Sequence, residues 1–366
     1  MVLKRLGLLC ACMAACLAVQ SSVARGDASK DEGRIHAFLH NIPIRDEAYF
    51  RDKQRQIQAM GETGVRALIE VVQDVDSLDR LAAKRMIVAL GKPTVEPLIG
   101  LLKHDRWLVR DDAAETLGQI GDKQAIGPLV KVVKSRQEDA RVRQQALRSL
   151  VRLRAPEATS LCIGFLKSED AGLASAAAGE LGSMRDKTAI KPLIEALGSS
   201  TEGLPATTAE ALGEIGGTRA VPALIEFLGT GAWENRVIAA EALGKIGDKR
   251  AADPLFDALL ESNWLYAPTI GRALGKVADA TAVARLKKVL DPSDLETSKK
   301  ALSALAATAT PEALKILENA AARQDGAFQQ AARGAYRSGL ENAAVRGDKK
   351  AKSTLNRMIK KGGSRR

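Results

Sequence analysis

The sequence is 366 residues long, with 46% hydrophobic and 27% charged residues, the balance of a folded chain and not of a disordered one. Aromatic residues make up only 3%, too few for the core of a β-sandwich or barrel, and the abundance of Ala, Leu and Gly favours closely packed helices. Of the formal net charge of +11, residues 1–24 hold +2 and residues 346–366 hold +8, which leaves the body at +1 and gives no indication of a basic groove for nucleic acid.

Residues 1–24 read as an export signal: Lys4-Arg5 is a positive start, Leu6 to Ala18 an uncharged apolar run, and Ser22-Val23-Ala24 a small-residue cleavage site. The run is short of the roughly 20 residues that a membrane span needs, so no transmembrane span is expected in the mature chain. An alternative is a lipobox at Met13-Ala14-Ala15-Cys16, in which Cys16 would carry lipid. Three of the four cysteines lie in this leader. Cys162 is then left alone and no disulfide framework is possible. It stands where leucine recurs elsewhere, the place of a small buried hydrophobe.

Residues 25–59 are expected to cap the array that follows, with Ile35, Phe38, Leu39, Ile42, Tyr49 and Phe50 as the apolar set. Over residues 60–340 the chain repeats. Leu150, Leu181, Leu212, Leu243, Leu274 and Leu305 are 31 residues apart, Leu117 leads them by 33, and Leu90 begins the series irregularly. A second anchor lies twelve residues further on: Leu129, Cys162, Leu193, Leu224, Leu255, Leu286 and Leu317. Val237, Ala240, Leu243 and Gly244 share one helix face, and alanine there lets neighbouring helices approach. Gly247 suits a positive φ at the first helix's end. Asp122, Asp186, Asp248 and Asp279 are placed to cap a second helix, as is Thr310 before Pro311. Pro97, Pro128, Pro192 and Pro254 fall in the first turn of that helix, where a missing N–H costs least. A single pair cannot bury its own apolar residues, so neighbours must stack.

The units Ala209-Glu210-Ala211-Leu212-Gly213-Glu214-Ile215-Gly216 and Ala240-Glu241-Ala242-Leu243-Gly244-Lys245-Ile246-Gly247-Asp248, with Pro192-Leu193-Ile194 and Pro254-Leu255-Phe256 as second segments, carry a resemblance. The pattern resembles the HEAT repeat, of the subtype seen in phycobilisome lyases. The resemblance implies an all-α fold, an α-solenoid in which stacked HEAT-like helix pairs form a right-handed superhelix. It implies a binding scaffold and no particular chemistry. Residues 341–366 are expected to form a capping helix and a basic tail, with Ala351, Leu355 and Met358 facing the core.

Chemistry finds few footholds. His36 and His40, with Glu32, share a helix face and make a candidate metal site. The resemblance includes a di-iron hydroxylase that uses repeated His-Glu pairs, yet here no histidine precedes a glutamate and His104 stands apart. No Gly-x-Ser-x-Gly elbow or phosphate loop occurs. No catalytic residue, metal ligand or cofactor is therefore assigned. A bilin-lyase-like or metal-dependent enzyme subunit is the alternative reading. Trp107, Trp233 and Trp264 each lie ten residues before a repeat leucine, and Arg110, Arg143 and Arg236 seven before. Such a ridge is a candidate surface for a protein partner, with Trp233 and Trp264 expected side by side; the competing reading is that tryptophan staples one turn to the next and arginine braces adjacent units. Lys349, Lys350, Lys352, Lys360 and Lys361 in the tail are candidate contacts for an anionic envelope component.

Overall fold

The structure, a computed structural model, describes Ile35, Leu39 and residues 47–75, 79–324 and 326–363, with side chains through Ile359. Among the described residues there is no β-strand, and the chain is an all-α solenoid of successive helix pairs. Its contacts fall into two compact units, one ending at Ala158 and the other beginning at Thr159. The first unit contains α1 (Glu47–Ala59), α2 (Glu62–Gln73), α3 (Arg80–Leu90), α4 (Val95–Leu101), α5 (Trp107–Ile120), α6 (Ile126–Lys134) and α7 (Ala140–Arg152). Helix α8 (Ala158–Phe165) starts at the division. The second unit continues with α9 (Ala171–Met184), α10 (Ile190–Leu197), α11 (Leu204–Ile215), α12 (Val221–Thr230), α13 (Trp233–Ile246), α14 (Ala252–Glu261), α15 (Ala267–Val277), α16 (Ala280–Lys288), α17 (Leu295–Thr308), α18 (Pro311–Ala322), α19 (Gly326–Val345) and α20 (Lys349–Gly363).

The repeat leucines from Leu117 to Leu305 and the second anchors from Leu129 to Leu317, Cys162 included, are all completely buried. Each such leucine contributes roughly 1.5–3 kcal/mol by leaving water. The start of the series is corrected. Leu90 is only half-buried, and Ile87 is the buried residue that stands four before the helix-ending Gly91, as Leu117 stands four before Gly121. Of the expected N-terminal cap, Ile35, Leu39, Phe50 and Ile57 are buried, while Phe38 and Ile42 lie outside the described residues.

Within each unit the odd-numbered helices from α5 onward pack on one another, and the close approach has a specific cause. A methyl group placed on Gly182, Gly213 or Gly244 would stand 2.8, 2.8 and 2.9 Å from the Cα of Ala211, Ala242 and Ala273. Glycine on one helix thus seats against alanine on the next, 31 residues on for each successive joint. In the first unit Gly118 seats against Ser149, whose hydroxyl donates to the Ala114 carbonyl at 2.8 Å and so buries no unpaired group. On the water side an ionic row bridges successive pairs, with Glu214 between Arg185 at 3.3 Å and Lys245 at 2.6 Å.

The helix ends follow the expected chemistry with one refinement. Gly247 has φ +76° at the end of α13, but the equivalent place is taken by Arg154 and Arg185, both at +53°, and by Ala309 at +51°. Asp279 and Thr310 cap α16 and α18 directly, each accepting from the third N–H beyond it. Asp122, Asp186 and Asp248 cap a short 3-10 turn instead, accepting from Gln124, Thr188 and Arg250 N–H, and that turn runs on into α6, α10 and α14. Pro97, Pro128, Pro192 and Pro254 are each the third residue of their α-helix. The boundary expected at residue 340 falls inside α19, because Leu340 and Ala343 on that helix make the core against which Ala351 of α20 packs.

Candidate functional site

In the second unit the aromatic surface is built around the start of α13. Trp233 is its first residue, and its ring stacks on Tyr266 with centroids 5.9 Å apart and planes inclined by 10°. Arg236, one turn on, lies over the same ring at 3.9 Å and pairs with Glu261 at 2.8 Å. Tyr266 donates its hydroxyl to Glu234 at 2.8 Å. That bond raises the phenol above its ordinary pKa, and it helps the Glu234 backbone N–H hold the carboxyl below the usual range.

Trp233 and Trp264 are not the stacked pair. Helix α15 begins at Ala267, seven residues before its leucine, whereas α13 begins ten before. The freed residues form a turn in which Asn263 Oδ1 accepts from the N–H groups of Leu265 (2.9 Å) and Tyr266 (3.2 Å). This clamp puts Tyr266, two residues after Trp264, against Trp233. It leaves Trp264 80% and Leu265 56% exposed at the tip.

In the first unit Trp107 opens α5, with the Arg141 guanidinium 3.6 Å from its ring centroid. Arg110 pairs with Glu138 at 2.7 Å and donates to the carbonyls of His104 (2.6 Å) and Asp105 (2.8 Å). Arg143 donates to the Val133 carbonyl at 3.1 Å. Arg110, Arg143 and Arg236 therefore hold neighbouring elements together, as the bracing alternative expects. Trp107, Arg110 and Glu138 also line an open hollow of about 670 Å³. Of the six residues expected to form a partner ridge, Trp264 alone stands well clear into solvent.

Lys349, Lys350 and Lys352 are exposed on α20; the side chains of Lys360 and Lys361 lie outside the described residues. So do the leader with Cys16, and His36 and His40. His104 accepts from the Arg106 N–H at 3.1 Å. Burial, together with the charge of Glu180, pushes the Cys162 thiol up to about 12, so it is not a nucleophile at neutral pH. Among the described residues no three His, Cys, Asp or Glu side chains come together as metal ligands, and no helix is long and apolar enough to cross a membrane.

Two features of the first unit escaped the sequence reading. Arg80 and Lys84 on α3 converge on Asp112 of α5, and Lys84 also reaches Glu115 at 2.5 Å. Burial pulls the Lys84 ammonium down, but its bonds to Asp112 and Glu115 and their charges outweigh that and leave it above its ordinary value. Asp111 is raised by burial and by the charge of Asp112. Separations of 28 and 31 residues, one repeat, were the available signal. The second feature is a mostly apolar hollow of about 660 Å³ between Val65 and Ile69 of α2, Leu90 at the end of α3, Pro93 in the turn after it and Pro97 of α4, assembled from three helices and so without a contiguous motif.

Stacked helix pairs, joined in the second unit by a glycine-on-alanine contact at constant period, define a helical-repeat protein. Residues 65–141, 128–204 and 192–268 match the HEAT repeats model, more than half of the chain, and the chain belongs to the HEAT-repeat family. No curated protein matches it. Among solved structures, the Escherichia coli protein YibA is similar at 21% identity, over 68% of this chain and 93% of that one, with a TM-score of 0.50. The complex of CpcE and CpcF of phycocyanin lyase from Nostoc sp. PCC7120 is similar at 22% identity, over 62% and 92%, with a TM-score of 0.38. Human deoxyhypusine hydroxylase is similar at 19% identity, over 78% and 98%, with a TM-score of 0.32. At 21% identity the likeness to YibA is one of fold.

Proposed function

We propose that the chain is an exported HEAT-repeat scaffold, of the phycobilisome-lyase repeat subtype, that holds another protein and performs no catalysis of its own. The observation that carries this reading is the Trp264–Leu265 tip, an aromatic and an aliphatic side chain offered to solvent on a turn clamped by Asn263. A turn whose backbone is already held loses little backbone freedom on binding, and tryptophan is among the residues most enriched where binding energy concentrates. Export rests on the pattern of residues 1–24; amino-terminal sequencing of the mature chain is expected to begin at Arg25, and a lipidated Cys16 would support the anchored alternative.

The test starts from a photo-crosslinking residue at position 265 in the cell envelope, which identifies what is held. The affinity of the double variant Trp264→Ala/Leu265→Ala for that partner is then measured. A loss of about 30-fold or more is expected, since a hot spot is worth about 2 kcal/mol, with thermal stability unchanged because both side chains are exposed. Unchanged affinity would refute the assignment of this tip. A bilin or stoichiometric metal in the purified protein would favour the enzyme-subunit alternative.

A further inference from the structure

We propose that the carboxyl-terminal helix α20 docks on an anionic phospholipid bilayer. Its first half is anchored: Asp348 accepts from the N–H groups of Lys350 (2.8 Å) and Ala351 (3.0 Å), and Ala351 with Leu355 packs against Ala309, Leu340 and Ala343. Met358 and Ile359 continue the same stripe, three and four residues after Leu355 and seven and eight after Ala351. They are nevertheless 36% and 54% exposed. The apolar face of the helix thus runs past the core that buries its beginning. Polar and charged residues occupy the rest of the helix, with Lys352 exposed on the same side as Ile359 one heptad earlier, and Arg357 exposed next to Met358.

Charge selects the occupant. Residues 349–366 contain eight Lys or Arg and no Asp or Glu, while the body of the chain is close to neutral. A segment with this balance gains by approaching a negatively charged surface, about 1 kcal/mol for each basic residue brought close. A soluble polyanion would satisfy the lysines but offer nothing to Met358 and Ile359. The interface of an anionic bilayer meets both demands, headgroup charge for the cations and an acyl boundary for the apolar pair. The proposal stands independently of what the Trp264 tip binds, since the two surfaces share no residue.

The experiment is vesicle flotation of the full chain with phosphatidylglycerol-containing or pure phosphatidylcholine vesicles, and in parallel a binding titration with inorganic polyphosphate. Flotation with phosphatidylglycerol only is expected, weakening as salt rises. Met358→Asn/Ile359→Asn is expected to lower vesicle affinity on the order of tenfold and leave polyphosphate binding as it was. Lys349→Gln/Lys350→Gln/Lys352→Gln is expected to lower vesicle affinity by roughly fivefold for each charge removed. Because polar residues at 358 and 359 can also perturb the cap, Ile359→Trp gives a second readout, a blue shift of the added indole's emission when phosphatidylglycerol vesicles are present, taken as the difference from the parent chain. Equal flotation with phosphatidylcholine, an unaltered affinity in the Asn variant, or an unshifted difference spectrum for Ile359→Trp overturns the proposal.

Discussion

Gly213→Ala tests the joint between successive pairs. The added methyl would meet the Ala242 Cα at 2.8 Å and its Cβ at 3.0 Å, where carbon atoms attract best at about 3.5–4.0 Å. Helices α11 and α13 must then separate by roughly 0.7 Å, taken as the gap between that contact and the near end of this range. Overpacking of this kind costs about 1–3 kcal/mol, towards the upper end here because the obstacle is backbone and cannot rotate away. Gly213 stands in the last turn of α11, so replacing it with alanine returns at most about 1 kcal/mol of intrinsic helix preference. The expected net loss is about 1–2 kcal/mol by these two magnitudes. Gly334→Ala, in the middle of α19 with no atom within 4 Å, receives the full return without the clash and is expected to gain about 1 kcal/mol. Urea unfolding at constant m reads both, and hydrogen exchange is expected to localise the loss to α11 and α13. Adding Ala242→Gly to Gly213→Ala removes the contact at 3.0 Å but leaves the one at 2.8 Å, so it should restore only part of the stability. If Gly213→Ala stabilises as much as Gly334→Ala, the close-contact account is wrong.

Two further outcomes follow from the helix ends. Arg154 is exposed and sits at φ +53° where glycine stands in the better-formed pairs, so Arg154→Gly is expected to stabilise by about 1 kcal/mol, seen as a higher melting temperature. The Arg250 side chain and N–H hold the Asp248 carboxyl down at about 2, against an ordinary value of 3.8. The native state therefore binds this proton less readily than the unfolded chain, and the stabilisation is complete above the ordinary value and lost as pH falls through about 2. The difference in melting temperature between the native sequence and Asp248→Asn is expected to shrink across that window; a difference independent of pH would contradict the assignment, and carboxyl NMR locates the titration directly.

The repeat period, the buried leucines and the proline positions were readable in the sequence because each reports one residue's burial or backbone need. The register at Ile87 was not, since Leu90 offers a leucine at a superficially similar place and only Gly91, four residues after Ile87, fixes the phase. The Trp233–Tyr266 stack was missed for a similar reason. Phase counted from the leucine puts Trp264 beside Trp233, but the Asn263 turn delays the helix and moves Tyr266 into the place. Asp122, Asp186 and Asp248 were recognised as caps, yet whether a cap opens a 3-10 turn or an α-helix depends on geometry one step below residue type. The charge cluster around Asp112 joins residues one repeat apart, and nothing in either helix alone marks them as partners.

The three like seats of Gly182, Gly213 and Gly244 make the pairs they join interchangeable. Excising residues 214–244 would join Gly213 to Lys245 and bring Ala273 opposite Gly213, a joint of the same form as the one lost. The ionic row has no such tolerance, because Arg185 would then face Lys245 in place of Glu214. Along these joints the apolar seam lets one unit follow another, and the charges beside it record which neighbour belongs where.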